Sequence, residues 1–220
     1  MSKSATNTKG KQDRRSQLGE QRRARTRAKI ISAAFDLYGT EQGSQLRVED
    51  VARSAGVTRA TFYSYFPNLH ELREAVAYAL THEIFARVVK TYQHMEDPAF
   101  QVACGIRYYL GKAKDDKQWA LSVINISANG LPFGEETFHR VEQNVQEGLD
   151  AGRFKLWNSQ LGRDIVLGTV LSAMASMIAQ ETPDLYPELI AGHVLMGLGL
   201  ELDEARDLAT AELPPLAELD

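Results

Sequence analysis

The residues best suited to recognising a partner sit in one short run, Thr58 to Tyr65. Phe62 and Phe66 lie four apart and turn to the same side of a helix. At roughly 100° per residue, the opposite side then carries Ala60 and Ser64, flanked by Arg59, Thr61 and Tyr63. Small residues hold the centre and hydrogen-bond donors the edges. A helix entering a groove about 12 Å wide needs such a face, with nothing bulky where it sinks deepest. Hydroxyls and a guanidinium then reach base edges and phosphates. The plain alternative is a pair of ordinary core helices.

The neighbouring residues are the kind that would hold that helix in place. Val48, Val51, Ala52 and Ala55 recur at i, i+3, i+4 and i+7, one apolar face of a preceding helix. Gly56 stops it, since glycine takes the left-handed conformation of a helix end at little cost, and Val57 anchors the turn. Thr58 restarts the chain as an N-cap. Pro67 ends the second helix, and Asn68 with Glu71 forms a capping box that starts a third. Two short helices joined by a tight glycine turn make a helix-turn-helix, whose second member reads DNA.

The run VEDVARSAGVTRATFYSYF, with the preceding AKIISAAFDLY, closely resembles the DNA-binding domain of the TetR family of bacterial transcriptional regulators over about residues 25 to 75. Carried over by position, the resemblance puts the DNA-contacting helix on Thr58, Arg59, Ala60, Thr61, Tyr63, Ser64 and Tyr65. Two positions depart from the family pattern. Leu69 stands where the family usually has a phosphate-binding Lys, and Arg47 where it often has Thr or Ser; Arg47 is the expected substitute phosphate contact.

Charge divides along the chain in the same sense. Net charge is −4, yet residues 1 to 75 hold 14 Lys+Arg against 8 Asp+Glu, and the remainder 11 against 21. Only the first part suits nucleic acid. Residues 1–20 are polar and without period, and are expected to form a disordered basic arm. Its Lys9, Lys11, Arg14 and Arg15, continuing into Arg22, Arg23, Arg25, Arg27 and Lys29, either track phosphates or form a solvated tail.

Several chemistries find no support. The histidines show no metal-ligand spacing, the single Cys104 rules out an internal disulfide, and no GxSxG, P-loop or GxGxxG occurs, so neither enzyme nor cofactor nor metal is expected. Cys104 reads as a buried small hydrophobe. The N-terminus has no apolar secretory region, and the uncharged run Ile165 to Gln180 is 16 residues, short of the roughly 20 a membrane helix needs. The reading is a cytoplasmic protein with no membrane partner.

The 44% hydrophobic content supports a sizeable core. A first helix is expected from about Thr26 to Tyr38, a linking helix from Asn68 to about His94, and three helices of moderate length between 97 and 152. Gln160 to Ile178 and Leu185 to Leu202 are apolar or small around most of their girth, so they pair with the same helices of a second subunit or lie at the centre of a monomer. The family resemblance implies the dimer. Residues 203–220 read as a short helix and a frayed tail.

The expectation is therefore all-α: an N-terminal arm at 1–20, a three-helix helix-turn-helix head at 21–68, and a helical ligand-binding and dimerisation domain at 69–220. Arg107, Tyr108, Trp119, Met174 and Met177 are the candidate pocket lining, although aromatic and Met residues at helical spacing equally make core. The function expected is a repressor that binds a palindromic operator in double-stranded DNA as a homodimer and is released by a small apolar or amphipathic effector. The rivals are a ligand-independent architectural or constitutive DNA-binding protein and, more remotely, an enzyme.

Overall fold

The computed structural model describes residues 5–219, with side chains from Gln17 onward. The described residues are helical and contain no strand. Three helices build the head: α1 (Ala5–Tyr38), α2 (Val48–Ser54) and α3 (Arg59–Tyr65), with a 3-10 turn at Gly43–Gln45. Ile30, Ala34 and Tyr38 of α1 meet Val48 and Val51 of α2 and Phe62 of α3 in one buried cluster. Fully burying such a side chain is worth about 1.5 to 3 kcal/mol, enough in sum to order so small a unit.

Helix α4 (Leu69–Tyr92) closes that cluster with Leu72 and Val76, then carries Ile84 and Val88 into the second core. It begins at the boundary expected at 68/69 and packs in both cores. The second core is formed by α5 (Pro98–Asp115), α6 (Lys117–Ser127), α7 (Gly134–Asp150), α8 (Ser159–Ala179), α9 (Tyr186–Gly197) and α10 (Leu202–Thr210). Cys104, Leu110, Met174 and Leu195 are its fully buried centre. Asp97 caps α5 as its sequence suggests, accepting the Ala99 N–H at 2.9 Å, with Pro98 in the first turn.

The structure differs from expectation in four places. The backbone is helical from Ala5 rather than disordered to residue 20: the stretch has no proline and is rich in Gln, Arg and Lys, so a helix nucleated at 26–38 extends backwards at little cost. The side chains of Lys9, Lys11, Arg14 and Arg15 lie outside the described residues. The helix expected over 185–202 breaks instead at Leu198–Glu201, where Gly199 has φ of +102° and α10 turns back on α9. The chain after α10 is a strap rather than a frayed tail. Arg107 donates to the Ala211 carbonyl, Tyr108 to the Pro214 carbonyl and Arg87 to the Ala217 carbonyl, while Ala217 N–H donates to Thr91. Finally, α8 reaches 21 residues with a mean hydropathy of 1.4, by length and composition enough for a membrane span. Here it packs against α5, α6, α7 and α9.

One side chain ties the head to the body. Asn125 of α6 donates both amide hydrogens to the end of α1, to the Tyr38 carbonyl at 2.7 Å and the Thr40 carbonyl at 2.8 Å. Orphan carbonyls at a helix C-terminus need such partners. The approach requires a glycine at 43, where a Cβ would stand 2.5 Å from the Tyr38 oxygen and 2.8 Å from Asn125 Nδ2.

Candidate nucleic-acid interface and effector cavity

The turn between α2 and α3 has the geometry its sequence suggests. Gly56 takes φ of +59°, its N–H bonds the Arg53 carbonyl at 3.1 Å, and Val57 N–H reaches back to Ala52 at 2.9 Å. Thr58 then caps α3, its hydroxyl accepting the Thr61 N–H at 3.0 Å. Phe62 and Phe66 are buried, which turns Arg59, Ala60, Tyr63 and Ser64 to solvent and leaves Thr61 and Tyr65 half-buried at the edges. Ala60 and Ser64 thus occupy the outermost line of the helix, as their spacing from the two phenylalanines requires.

The polar groups on this face are partly committed. Arg59 Nη1 lies 2.9 Å from Glu49 Oε1 of α2, and the Tyr63 hydroxyl and then Glu49 hold the guanidinium above its ordinary pKa. Thr61 Oγ1 lies 2.9 Å from Thr58 Oγ1, and Ser64 donates to the Thr61 carbonyl at 2.6 Å. Each hydroxyl oxygen keeps acceptor capacity, and each hydroxyl can rotate to an outside acceptor. Arg47, at the N-cap of α2, is exposed.

The described basic residues of α1 gather at this helix. Arg23 lies over the Tyr65 ring at 5.7 Å and Arg27 over the Phe66 ring at 5.3 Å. The Lys29 ammonium approaches the turn, 3.3 Å from where a Gly56 Cβ would be. Leu69, at the position where a lysine was missed, packs against the head core. This is a convex, donor-rich and cationic helix face, able to lie in a groove and neutralise phosphates at its rim.

In the body, a cavity of about 60 Å³ lies between α4, α5, α7 and α8. Its walls are apolar, among them Phe85, Val88, Ile106, Phe133, Val166 and Val170. A polar group stands at one part of the wall. Tyr92 OH receives Arg140 Nε at 3.4 Å and Asn144 Nδ2 at 3.3 Å, and Gln101 Nε2 donates to the Met95 carbonyl at 2.7 Å. Tyr109 pairs with Thr137 at 3.0 Å, and its full burial drives its pKa far upward.

None of the five expected lining residues borders this cavity. Arg107 is spent on Glu188, at 3.1 and 3.2 Å, and on the strap; Tyr108 holds the strap; Trp119 donates to the Leu80 carbonyl at 2.9 Å. Met174 is fully buried core and Met177 packs against it. Gln101 and Asn144 are polar residues that do line it. Their signal was available: Thr137, Val141, Asn144, Val145 and Gly148 share one face of α7, so a polar side chain at 144 sits in an otherwise inward stripe.

The head is a helix-turn-helix DNA-binding unit and the body a helical domain with a cavity between its helices. Family models agree on both parts. Residues 30–76 match bacterial regulatory proteins of the tetR family, and residues 97–211 match the tetracyclin repressor-like C-terminal domain. The chain belongs to the TetR family of DNA-binding transcriptional regulators. It is 37% identical over 60 residues to the HTH-type transcriptional regulator EthR of Mycolicibacterium smegmatis, an alignment covering 27% of this chain and 26% of that protein. The chain therefore matches about a quarter of that relative's length. Among solved structures, RolR in complex with resorcinol matches with a TM-score of 0.66 at 22% identity, over 90% of this chain and all of that one. FadR of Bacillus subtilis in complex with stearoyl-CoA gives 0.57 at 19% identity, over 78% and 96%. At these identities the likeness is one of fold.

Proposed function

We propose that this protein is a transcriptional repressor that binds a palindromic operator as a homodimer and lets go when a small molecule enters the body cavity. The observation that carries the reading is the outward face of α3. With Phe62 and Phe66 buried, Arg59, Ala60, Tyr63 and Ser64 are presented to a major groove, with Thr58, Thr61, Tyr65 and Arg47 at the rim. Arg59 reads a base edge; Arg47 and the α1 cations meet phosphates.

The dimer is supported by α8 and α9. On α8, Gly168, Ser172, Ala175 and Ala179 form an exposed line of small residues, and Leu185 at the N-cap of α9 and Leu189 within it are 61% and 50% exposed. Small residues permit close helix approach and exposed leucines gain from cover, so a second copy packing the same two helices makes an isologous four-helix interface. Two heads so joined address half-sites about 34 Å apart, or a multiple of that.

Induction is a population shift. At about 60 Å³ the cavity is smaller than the roughly 150 Å³ that accepts a benzene ring, so a bound molecule must push α4 from α7 and α8. Because α4 also carries Leu72 and Val76 in the head core, that displacement moves the heads. Of the molecules held by the two structural relatives, one aromatic ring is far closer in size to this cavity than a stearoyl-CoA. The cavity also favours release by an effector over constitutive binding. The assigned work is cytoplasmic and involves no catalysis.

Selection of bound duplexes from a random-sequence pool tests the reading. An enriched inverted repeat with two protomers per repeat is expected. Enrichment of no motif, or of a single half-site bound by one protomer, would overturn it.

A further inference from the structure

Two residues bordering the cavity each hold a buried acceptor with no partner among the described residues: Gln101 Oε1 and Asn144 Oδ1. Gln101 is 7% exposed and Asn144 4%. At that depth an unmet acceptor is costly, and native folds rarely tolerate one without a use for it. The orientation of Gln101 is fixed, because its Nε2 donates at 2.7 Å to the Met95 carbonyl, which can only accept. Asn144 Nδ2 is turned to the Tyr92 hydroxyl at 3.3 Å, which leaves its oxygen as the second open acceptor.

Resting on the reading of this cavity as the effector site, we propose that the effector is a small neutral hydroxylated aromatic, selected by hydrogen bonds from its hydroxyls to Gln101 and Asn144. Neutrality follows from the charges. Arg140 is the one charged residue among those lining the cavity, and it is already met by Glu147 at 3.3 Å. An anion would set its charge against two amide oxygens, and a cation against Arg140. Aromatic character follows from the walls, where Tyr109 and Phe133 stand edge to face at 5.5 Å with Phe85 and Tyr92 on the same cavity. Donors are required because a ligand that only accepts would leave both oxygens unmet. A site built around hydrogen bonds rejects such analogues more strongly than shape alone can.

The test titrates the full chain by calorimetry with the three dihydroxybenzene isomers, the matching difluorobenzenes and benzoate. It compares the wild type with Gln101→Leu, Asn144→Leu and Gly105→Ala. Gly105 borders the cavity on α5 and a Cβ there would meet no heavy atom within 4 Å, so that variant folds while narrowing the space. At least one diol is expected to bind tenfold or more tightly than its difluoro counterpart and than benzoate, to lose roughly tenfold in each leucine variant, and to weaken in Gly105→Ala. Equal binding of difluorobenzene or benzoate, still sensitive to Gly105→Ala, would overturn selection by donors and leave the cavity as the effector site. Binding of no probe, or binding indifferent to Gly105→Ala, would overturn both.

Discussion

Replacing Asn125 by alanine should loosen the head from the body, and the size of the effect can be worked from the contacts. The side chain is buried and gives two hydrogen bonds of 2.7 and 2.8 Å to carbonyls at the end of α1. Each bond contributes about 1 kcal/mol net, and the Tyr38 carbonyl left dry and unpaired adds a further 1 to 3 kcal/mol, while the Thr40 carbonyl keeps the Gly43 N–H, for a loss of about 3 to 5 kcal/mol. At roughly 2 to 4 °C per kcal/mol for a chain of this size, the melting temperature falls by about 6 to 20 °C. Asn129→Ala is the control, since its bond to the Ser44 carbonyl is 3.2 Å and exposed; it should cost less than about 0.5 kcal/mol. Gly43→Ala should reproduce the Asn125 effect by displacing the same amide. Urea and thermal unfolding followed by circular dichroism read all three. If Asn125→Ala unfolds within about 0.5 kcal/mol of the wild type, the amide is not a clamp and the coupling must run through α4 alone.

Other consequences follow from the charges and the core. Glu49→Gln frees Arg59 from its 2.9 Å partner and removes a carboxylate from the DNA-facing surface, so affinity for any duplex should rise and its salt dependence steepen by up to about one charge; unchanged binding would contradict this. Cys104 is fully buried and its thiol is pushed up to about 11 by that burial, against a smaller opposing pull from Arg107. It should resist a thiol reagent at pH near 8 until urea unfolds the chain, and rapid native labelling would refute the packing. Burial alone would raise the Asp97 pKa, but hydrogen bonds from Arg153 and the Ala99 N–H outweigh it and hold the carboxyl below its usual range. A depressed folded pKa means stability that is present above the unfolded value near ~3.9 and lost as pH falls through the folded one. Asp97→Asn should therefore flatten the acid limb of a stability–pH curve, and an unaltered limb would reject the assignment.

The head was legible because each local signal is a strong one that agrees with its neighbours. Gly56 at positive φ, Thr58 and Asn68 as caps, and Phe62 and Phe66 inward all follow from residue type and spacing, and together leave α3 a single outward face. The body was legible as helices but not as a site. Periodicity marks Trp119, Met174 and Tyr108 as inward, yet it cannot say that Tyr108 is held by Pro214 across more than a hundred residues of chain. Which inward residues border a cavity depends on the fit of four helices. The strap escaped notice for the same reason, because residues 211–219 have no period and are fixed by side chains of α4 and α5. Pairing of Arg59 with Glu49 is a contact between helices that spacing within either one does not reveal.

The central claim is that α3 reads a DNA sequence through Arg59 and its neighbours. Its most direct test is fluorescence anisotropy of the wild type and Arg59→Ala on the DNA flanking the protein's own gene and on a scrambled duplex, at two salt concentrations. The account predicts saturable wild-type preference for the flanking DNA, and a loss of about 1 to 3 kcal/mol on it in Arg59→Ala with little change on the scrambled duplex. Equal wild-type affinity for both duplexes, collapsing together as salt rises, or an equal loss on both in Arg59→Ala, would contradict it.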